Sequence, residues 1–298
     1  SDVGIMSIIF LSSAESGVCG ANVLSSIWDP TISIDYPNSQ MTYQCDTPVP
    51  GKTKYFRVTT INLQHDSGNE ANIPAVGLTT GVEYYLGGFF RFDRINGLDI
   101  WHDTGGLPNS SDKLFEFNNP SARGLIMAGF PDWANCESGL CDHRFTFGIY
   151  LSPLACTNCI YEVVWPNVVP YNDRENNPNA PVTHMYFCDY ERWYAVVLGY
   201  TPSTGGSATN GRLRLWINGT NTHDWQNIKT QDSTSPSVNR FYHSGTIAQP
   251  AYDSPAHYRK YDHFILADSL SDIQSAGLMS NPSVISTNIV VGRRRLLI

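Results

Sequence analysis

Three stretches of the chain place arginine beside an aromatic residue on one side of a period-two pattern. In GRLRLWI, Arg212, Arg214 and Trp216 alternate with Leu213, Leu215 and Ile217; in EYYLGGFFRFDRI, Tyr85, Arg91 and Asp93 alternate with Tyr84, Leu86, Phe90 and Phe92. In HRFTFGIYL, Arg144 and Tyr150 fall out of phase with Phe145, Phe147, Ile149 and Leu151. A planar guanidinium next to an aromatic ring suits acidic or hydroxyl-rich sugars, through bidentate hydrogen bonds and stacking. The same parts could drive a β-elimination, in which tyrosine or histidine removes the proton at C5 of a uronate and a cation neutralises the carboxylate. Tyr85, Arg91, Arg144, Tyr150, Arg214 and Trp216 are therefore the candidate ligand-binding residues. The competing arrangement pairs these arginines with Asp93 or Glu116 on neighbouring strands.

Other chemistries lack their residues. Serine is abundant, but no G-x-S-x-G elbow occurs, and HExxH is absent. His102-Asp103, Asp142-His143 and Asp262-His263 are adjacent pairs, and neighbours along a strand face apart.

The elements that carry the arginines read as antiparallel strands. WYAVVLGY and GRLRLWI form a long-looped hairpin that closes on the tight-turn pair Asn218-Gly219. MTYQC, KYFRVTTINL, DKLFEFNN, GLIMAGF, IYEVVW and KYDHFILA continue a series of short strands bounded by turns. Gly87-Gly88 removes bulk from both faces of its strand, as happens where another backbone or a ligand comes close. Residues 166–181 read as a surface loop, 226–255 as a second long loop region with one strand near Arg240 to His243, and DSLSDIQSAGL as one short helix. There is no internal repeat and no linker, so residues 1–298 are expected to form one domain with a C-terminal extension from about 268.

Composition agrees with an all-β, extracellular protein: 41% hydrophobic, only 15% charged, with 24 glycines, 18 prolines and 16 tyrosines. A net charge of −8 argues against nucleic acid or an anionic membrane as partner. No apolar run is long enough for a transmembrane helix, and IMSIIFL reads as the first strand of a chain whose signal peptide has been removed. Asn109 and Asn218 head formal glycosylation sequons. The spacing of Cys136, Cys141, Cys156 and Cys159 is loosely compatible with zinc, but loop-stapling disulfides suit the seven cysteines better. The expected pairs are Cys19 with Cys45, Cys136 with Cys141, and Cys188 with one of Cys156 and Cys159.

FLSSAESG, YYLGGFFRF, DKLFEF, RFTFGIYL, RWYAVVLGY with NGRLRLWING, and YDHFILADS together resemble the concanavalin A-like lectin and glucanase superfamily, in its usual motif order and over most of the chain. The resemblance implies a jelly-roll sandwich of two curved antiparallel sheets, with the candidate residues sharing a concave face. It also implies a structural calcium held by the opening turn at Glu15 to Gly17 and by Asp262, since hard oxygen ligands suit that ion. The E-x-D-x-E string of the superfamily's retaining hydrolases is missing. Gln64-His65 does not reproduce the Q-[IV]-H of its alginate lyases, because without the middle residue the two side chains face apart.

These readings predict a secreted or cell-surface protein that binds polysaccharide without an evident hydrolase motif. Two alternatives accompany it. One is a lyase on acidic glycans; the other is a subunit of an extracellular assembly that self-associates through its apolar, strand-like termini.

Overall fold

The computed structural model describes residues 8–23, 39–60, 69–71, 76–93, 112–119, 122–131, 145–151, 188–205, 208–230, 237–238, 241–243 and 257–282. Its strands are β1 (Ile8–Ser12), β2 (Ser39–Gln44), β3 (Tyr55–Thr60), β4 (Asn69–Ala71), β5 (Val76–Gly77), β6 (Tyr84–Phe92), β7 (Asp112–Asn119), β8 (Ala122–Pro131), β9 (Phe145–Leu151), β10 (Tyr194–Thr201), β11 (Gly211–Ile217), β12 (Thr220–Ile228), β13 (Ser237–Val238), β14 (Phe241–His243) and β15 (His257–Ala267). One helix, α1 (Leu270–Ser275), follows β15.

The large sheet runs β12-β11-β10-β6-β15-β3-β2, with β1 also paired to β15, and a smaller sheet runs β7-β8-β9. All of these pairings are antiparallel, and the architecture is a jelly-roll β-sandwich. Period-two alternation sorts the side chains. Leu86, Phe90 and Phe92 of β6, Val196 and Leu198 of β10, Leu213, Leu215 and Ile217 of β11, and Phe264 and Leu266 of β15 all point into the space between the sheets and are completely buried. Phe147 of β9 enters the same core from the other side, its ring 6.0 Å from that of Phe90 and 6.2 Å from that of Phe92.

The opposite face of the large sheet is covered too. Ile273 of α1 and Leu278 beyond it pack on Val197, Ile265, Ala267 and Trp216. Gly87 makes this contact feasible, because a Cβ there would lie 2.9 Å from Leu278 Cδ1. The close approach expected at the glycine pair is thus made by the chain's own C-terminal strap. Asn218 and Gly219 take φ values of 50° and 78°, as the tight turn requires, and Gly219 lies so close to the Met279 carbonyl that a side chain has no room.

β12 departs from the sequence reading, which ran loop from Gln226 and saw no strand in TNTHDWQNI. Its polar composition hides a nine-residue strand that pairs along the whole length of β11. The opening strand β1 pairs with β15 of its own chain over Ile8–Ser12. The remaining terminal residues of the self-association reading, 1–7 and 283–298, lie outside the described residues.

Cys19 and Cys45 form the expected disulfide. Cys188 does not form its expected bridge: it is a free thiol, fully buried in the core at the approach to β10, and burial pushes its pKa well up. Cys136, Cys141, Cys156 and Cys159 lie outside the described residues, as does Asn109.

Candidate functional site

Arg91, Arg214, Trp216 and Tyr85 do share one face, as alternation predicted. It is the large sheet's face turned away from the inter-sheet core, and its arginines are engaged. Arg214 forms a two-point ion pair with Glu83: Nε donates to Oε1 at 2.6 Å and Nη2 to Oε2. Nη2 also donates to the Tyr85 hydroxyl at 3.1 Å, while that hydroxyl donates to Glu83 Oε2 at 2.7 Å. The guanidinium lies over the Trp216 ring, 4.4 Å from its centroid. Gly199 on β10 leaves the space, since a Cβ there would meet Glu83 Oε1 at 2.8 Å and Trp216 Cζ3 at 2.9 Å.

Arg91 is likewise closed by Asp93, with Nε to Oδ1 at 2.5 Å, and Lys260 Nζ reaches the other oxygen of Asp93 at 2.6 Å. Lys260 also donates to Thr47 Oγ1 at 2.6 Å and sits over the Tyr55 ring. Arg212 pairs with Asp224. Of the two arrangements open at the sequence level, pairing with Asp93 is the one found for Arg91; Arg214 finds Glu83, a partner the sequence reading did not consider. Glu83 stands 131 residues away from Arg214, and no local pattern connects them.

Tyr85 is unsuited to act as a base. Burial and its bond to Glu83 push its pKa up to about 12. Its cluster is a brace between β6 and β11. Glu83→Ala is expected to destabilise the fold by about 3 kcal/mol, because it strands a largely buried guanidinium. Adding Arg214→Met should recover much of the loss, and chemical denaturation of the single and double variants checks both values.

Tyr150 does not join this face. It lies on β9 in the smaller sheet, opposite Ile126, so the expected grouping of Tyr150 with Arg214 and Trp216 on one sheet is not realised. Arg144 lies outside the described residues. Strand register in the smaller sheet makes two rows out of phase with the core residue Phe147: Glu116–Ile126–Tyr150 and Lys113–Ala128–Gly148. Lys113 escaped the sequence reading for a specific reason. Plain alternation puts it in phase with Phe115, but the register shifts between the two, and the backbone irregularity moves Lys113 to the other phase.

The opening turn and the last strand meet at Ala14 and Asp262. Asp262 is completely buried, its Oδ1 accepts the Ala14 N–H at 3.0 Å, and its Oδ2 has no hydrogen-bond partner. Burial raises its pKa to about 6. An orphaned buried carboxylate oxygen is the kind of ligand a hard cation takes, but the neighbouring carbonyls of Ala14 and Glu15 already accept from the Gly17 N–H at 3.0 Å and from Lys54 Nζ at 2.6 Å. The Glu15 side chain is engaged elsewhere: Oε1 accepts the N–H groups of Thr53 at 2.8 Å and Lys54 at 3.2 Å, and Oε2 accepts Thr53 Oγ1–H at 2.5 Å. Gly17 is needed for packing, because a Cβ would come within 2.1 Å of the Tyr43 ring. Among the described residues, no three His, Cys, Asp or Glu side chains converge on one point.

No protein-family model matches the chain, and no curated protein does. Solved structures match its fold. An endo-β-1,4-glucuronan lyase from the fungus Trichoderma reesei superposes with a TM-score of 0.50 at 12% identity, covering 90% of this chain and 98% of the other. A variant alginate lyase in complex with an alginate trisaccharide gives 0.52 at 17% identity, over 88% and 99%. An alginate lyase from Aplysia kurodai gives 0.50 at 11% identity, over 87% and 98%. At these identities the likeness is one of fold. Among the described residues, no helix is long and apolar enough to cross a membrane.

Proposed function

We propose that the protein is an extracellular lyase acting on acidic, uronate-containing polysaccharide, with its site on the smaller sheet. The observation that carries the reading is the state of the large sheet: one face is the hydrophobic core, and the other is covered by the C-terminal strap and by arginines already paired with Glu83, Asp93 and Asp224. A glycan site on this fold then falls to the far phase of β7-β8-β9, where register brings Lys113, Glu116 and Tyr150 into adjacent rows. Likeness of fold, over 90% and 88% of this chain, to a glucuronan lyase and an alginate lyase supports the same assignment by analogy.

In this reading Tyr150 removes the proton at C5 of the uronate and Lys113 offsets the charge that builds on its carboxylate. The electron pair forms the C4–C5 double bond as the glycosidic oxygen at C4 departs, and that oxygen takes up the proton Tyr150 had received, which returns the tyrosine to the phenolate that acted as base. Incubation with glucuronan and alginate, following the absorbance of the unsaturated uronate, tests it. Product from either supports the lyase. Binding to these glycans without product favours the non-catalytic carbohydrate-binding reading, and neither binding nor product removes both.

A calcium ion held at the unpartnered Asp262 oxygen would lock the first strand to the last. Calcium is expected to raise the melting temperature of the EDTA-treated protein by several degrees, an effect on the order of 2 kcal/mol. The shift should vanish in Asp262→Asn; an equal shift in both proteins would rule this site out.

A further inference from the structure

A second feature, independent of the glycan reading, lies at the other end of the large sheet. β12 is the terminal strand there, and among the described residues its only strand partner is β11. An edge strand can detach without opening the rest of a sheet. β12 also carries a histidine on its core side: His223 stands opposite Leu215, is 4% exposed, and meets the Trp225 ring edge-on at 5.9 Å.

The Thr222 hydroxyl lies 3.2 Å from the Leu215 carbonyl and 2.8 Å from His223 Nδ1: with its single proton on the carbonyl it accepts from Nδ1–H, and with that proton turned to the ring it donates to Nδ1. In either tautomer the neutral ring holds one proton, and a second would place a charge in the core. Among the described residues, no charged group faces it. From β11 the residues on the same face are Leu213, Leu215 and Ile217; from β10 they are Val196, Leu198 and the buried phenols Tyr194 and Tyr200; from β12 itself, Trp225. Arg212, Arg214 and Asp224 lie on the opposite face, closed into their own ion pairs.

We propose that His223 is an acid latch: neutral, it seals β12 against the sheet, and its protonation releases this edge strand while the centre of the sheet stays folded. Burial already lowers the ring's pKa from 6.5 to about 4 in the folded chain. A base whose folded pKa is depressed loses stability as pH falls below its unfolded value, so the release belongs to the window between about pH 6.5 and 4. The Arg212–Asp224 pair does not trigger it. The hydrogen bond from Arg212 holds the Asp224 carboxyl below the usual range, and it stays ionised across that window.

Hydrogen exchange of the full-length protein, read by mass spectrometry and corrected for intrinsic rates, tests the latch. Between about pH 6.5 and 4.5, opening of residues 220–228 is expected to rise roughly 40-fold, with β6 and β10 unchanged. The rise should be absent in His223→Gln. Should that variant fail to fold, the histidine NMR titration of the native protein decides: His223 protonating only together with loss of β12 protection supports the latch. The proposal is overturned if His223 titrates near 6.5 with β12 still protected, or if β12 exchanges in step with β6 and β10.

Discussion

Replacing Tyr150 by Phe is expected to lower kcat on a polyuronate roughly 10³-fold while leaving KM within about threefold, because the change removes one proton-accepting oxygen and little else. Tyr150 is the one tyrosine of the original candidates that lies in the smaller sheet. Tyr85, the other, is locked between Glu83 and Arg214 and held protonated by burial. The two therefore make a matched pair. Tyr85→Phe should leave kcat unchanged and cost only stability, since its hydroxyl serves the brace. Lys113→Met provides the complementary reading: on the lyase proposal its loss should depress kcat as strongly as the tyrosine change, whereas a merely structural lysine would not. Activity intact in Tyr150→Phe would move the base elsewhere.

Phe90→Ala is expected to destabilise the fold by about 4 kcal/mol, among the largest effects of any single substitution. Its ring is completely buried and is met by Phe147 at 6.0 Å, by Tyr261 edge-on at 5.5 Å and by Phe264 edge-on at 5.8 Å. Phe147 belongs to the smaller sheet and the others to the large one, so Phe90, with Phe92 and Tyr194, holds the two layers together. Truncation leaves a cavity that the rigid rings around it cannot close. Urea unfolding checks the value, and a loss below about 1.5 kcal/mol would mean that the sheets collapse onto the space. Phe90→Leu, which keeps most of the volume, should recover over half of the loss.

Much of this was legible before any coordinates. Alternation by itself assigned Leu213, Leu215 and Ile217 to the core and Arg212, Arg214 and Trp216 to the other face, because successive residues of a strand must point opposite ways. Asn218-Gly219 announced a turn that needs two positive φ values, and Gly87 announced a close approach. The turn and the close approach are local signals. The jelly-roll class came from the resemblance of the motifs in their order, and the Cys19–Cys45 bridge was an expected pairing that the fold realises.

The tertiary structure decided what local signals cannot carry. Whether Arg214 is open to a ligand depends on Glu83, brought to it by the pairings of β6 with β10 and β10 with β11. Cys188 looked like a loop cysteine until the core closed around it. Tyr150 and Arg214 share a residue pattern but sit in different sheets, since alternation specifies the phase of a strand and says nothing about which sheet it joins. Lys113 changed phase through one irregularity in β7, an event set by how β7 pairs with β8 and not by either strand alone. Side-chain phase is a property of one strand and so lies in the sequence; partnership is a property of two, and only folding settles it.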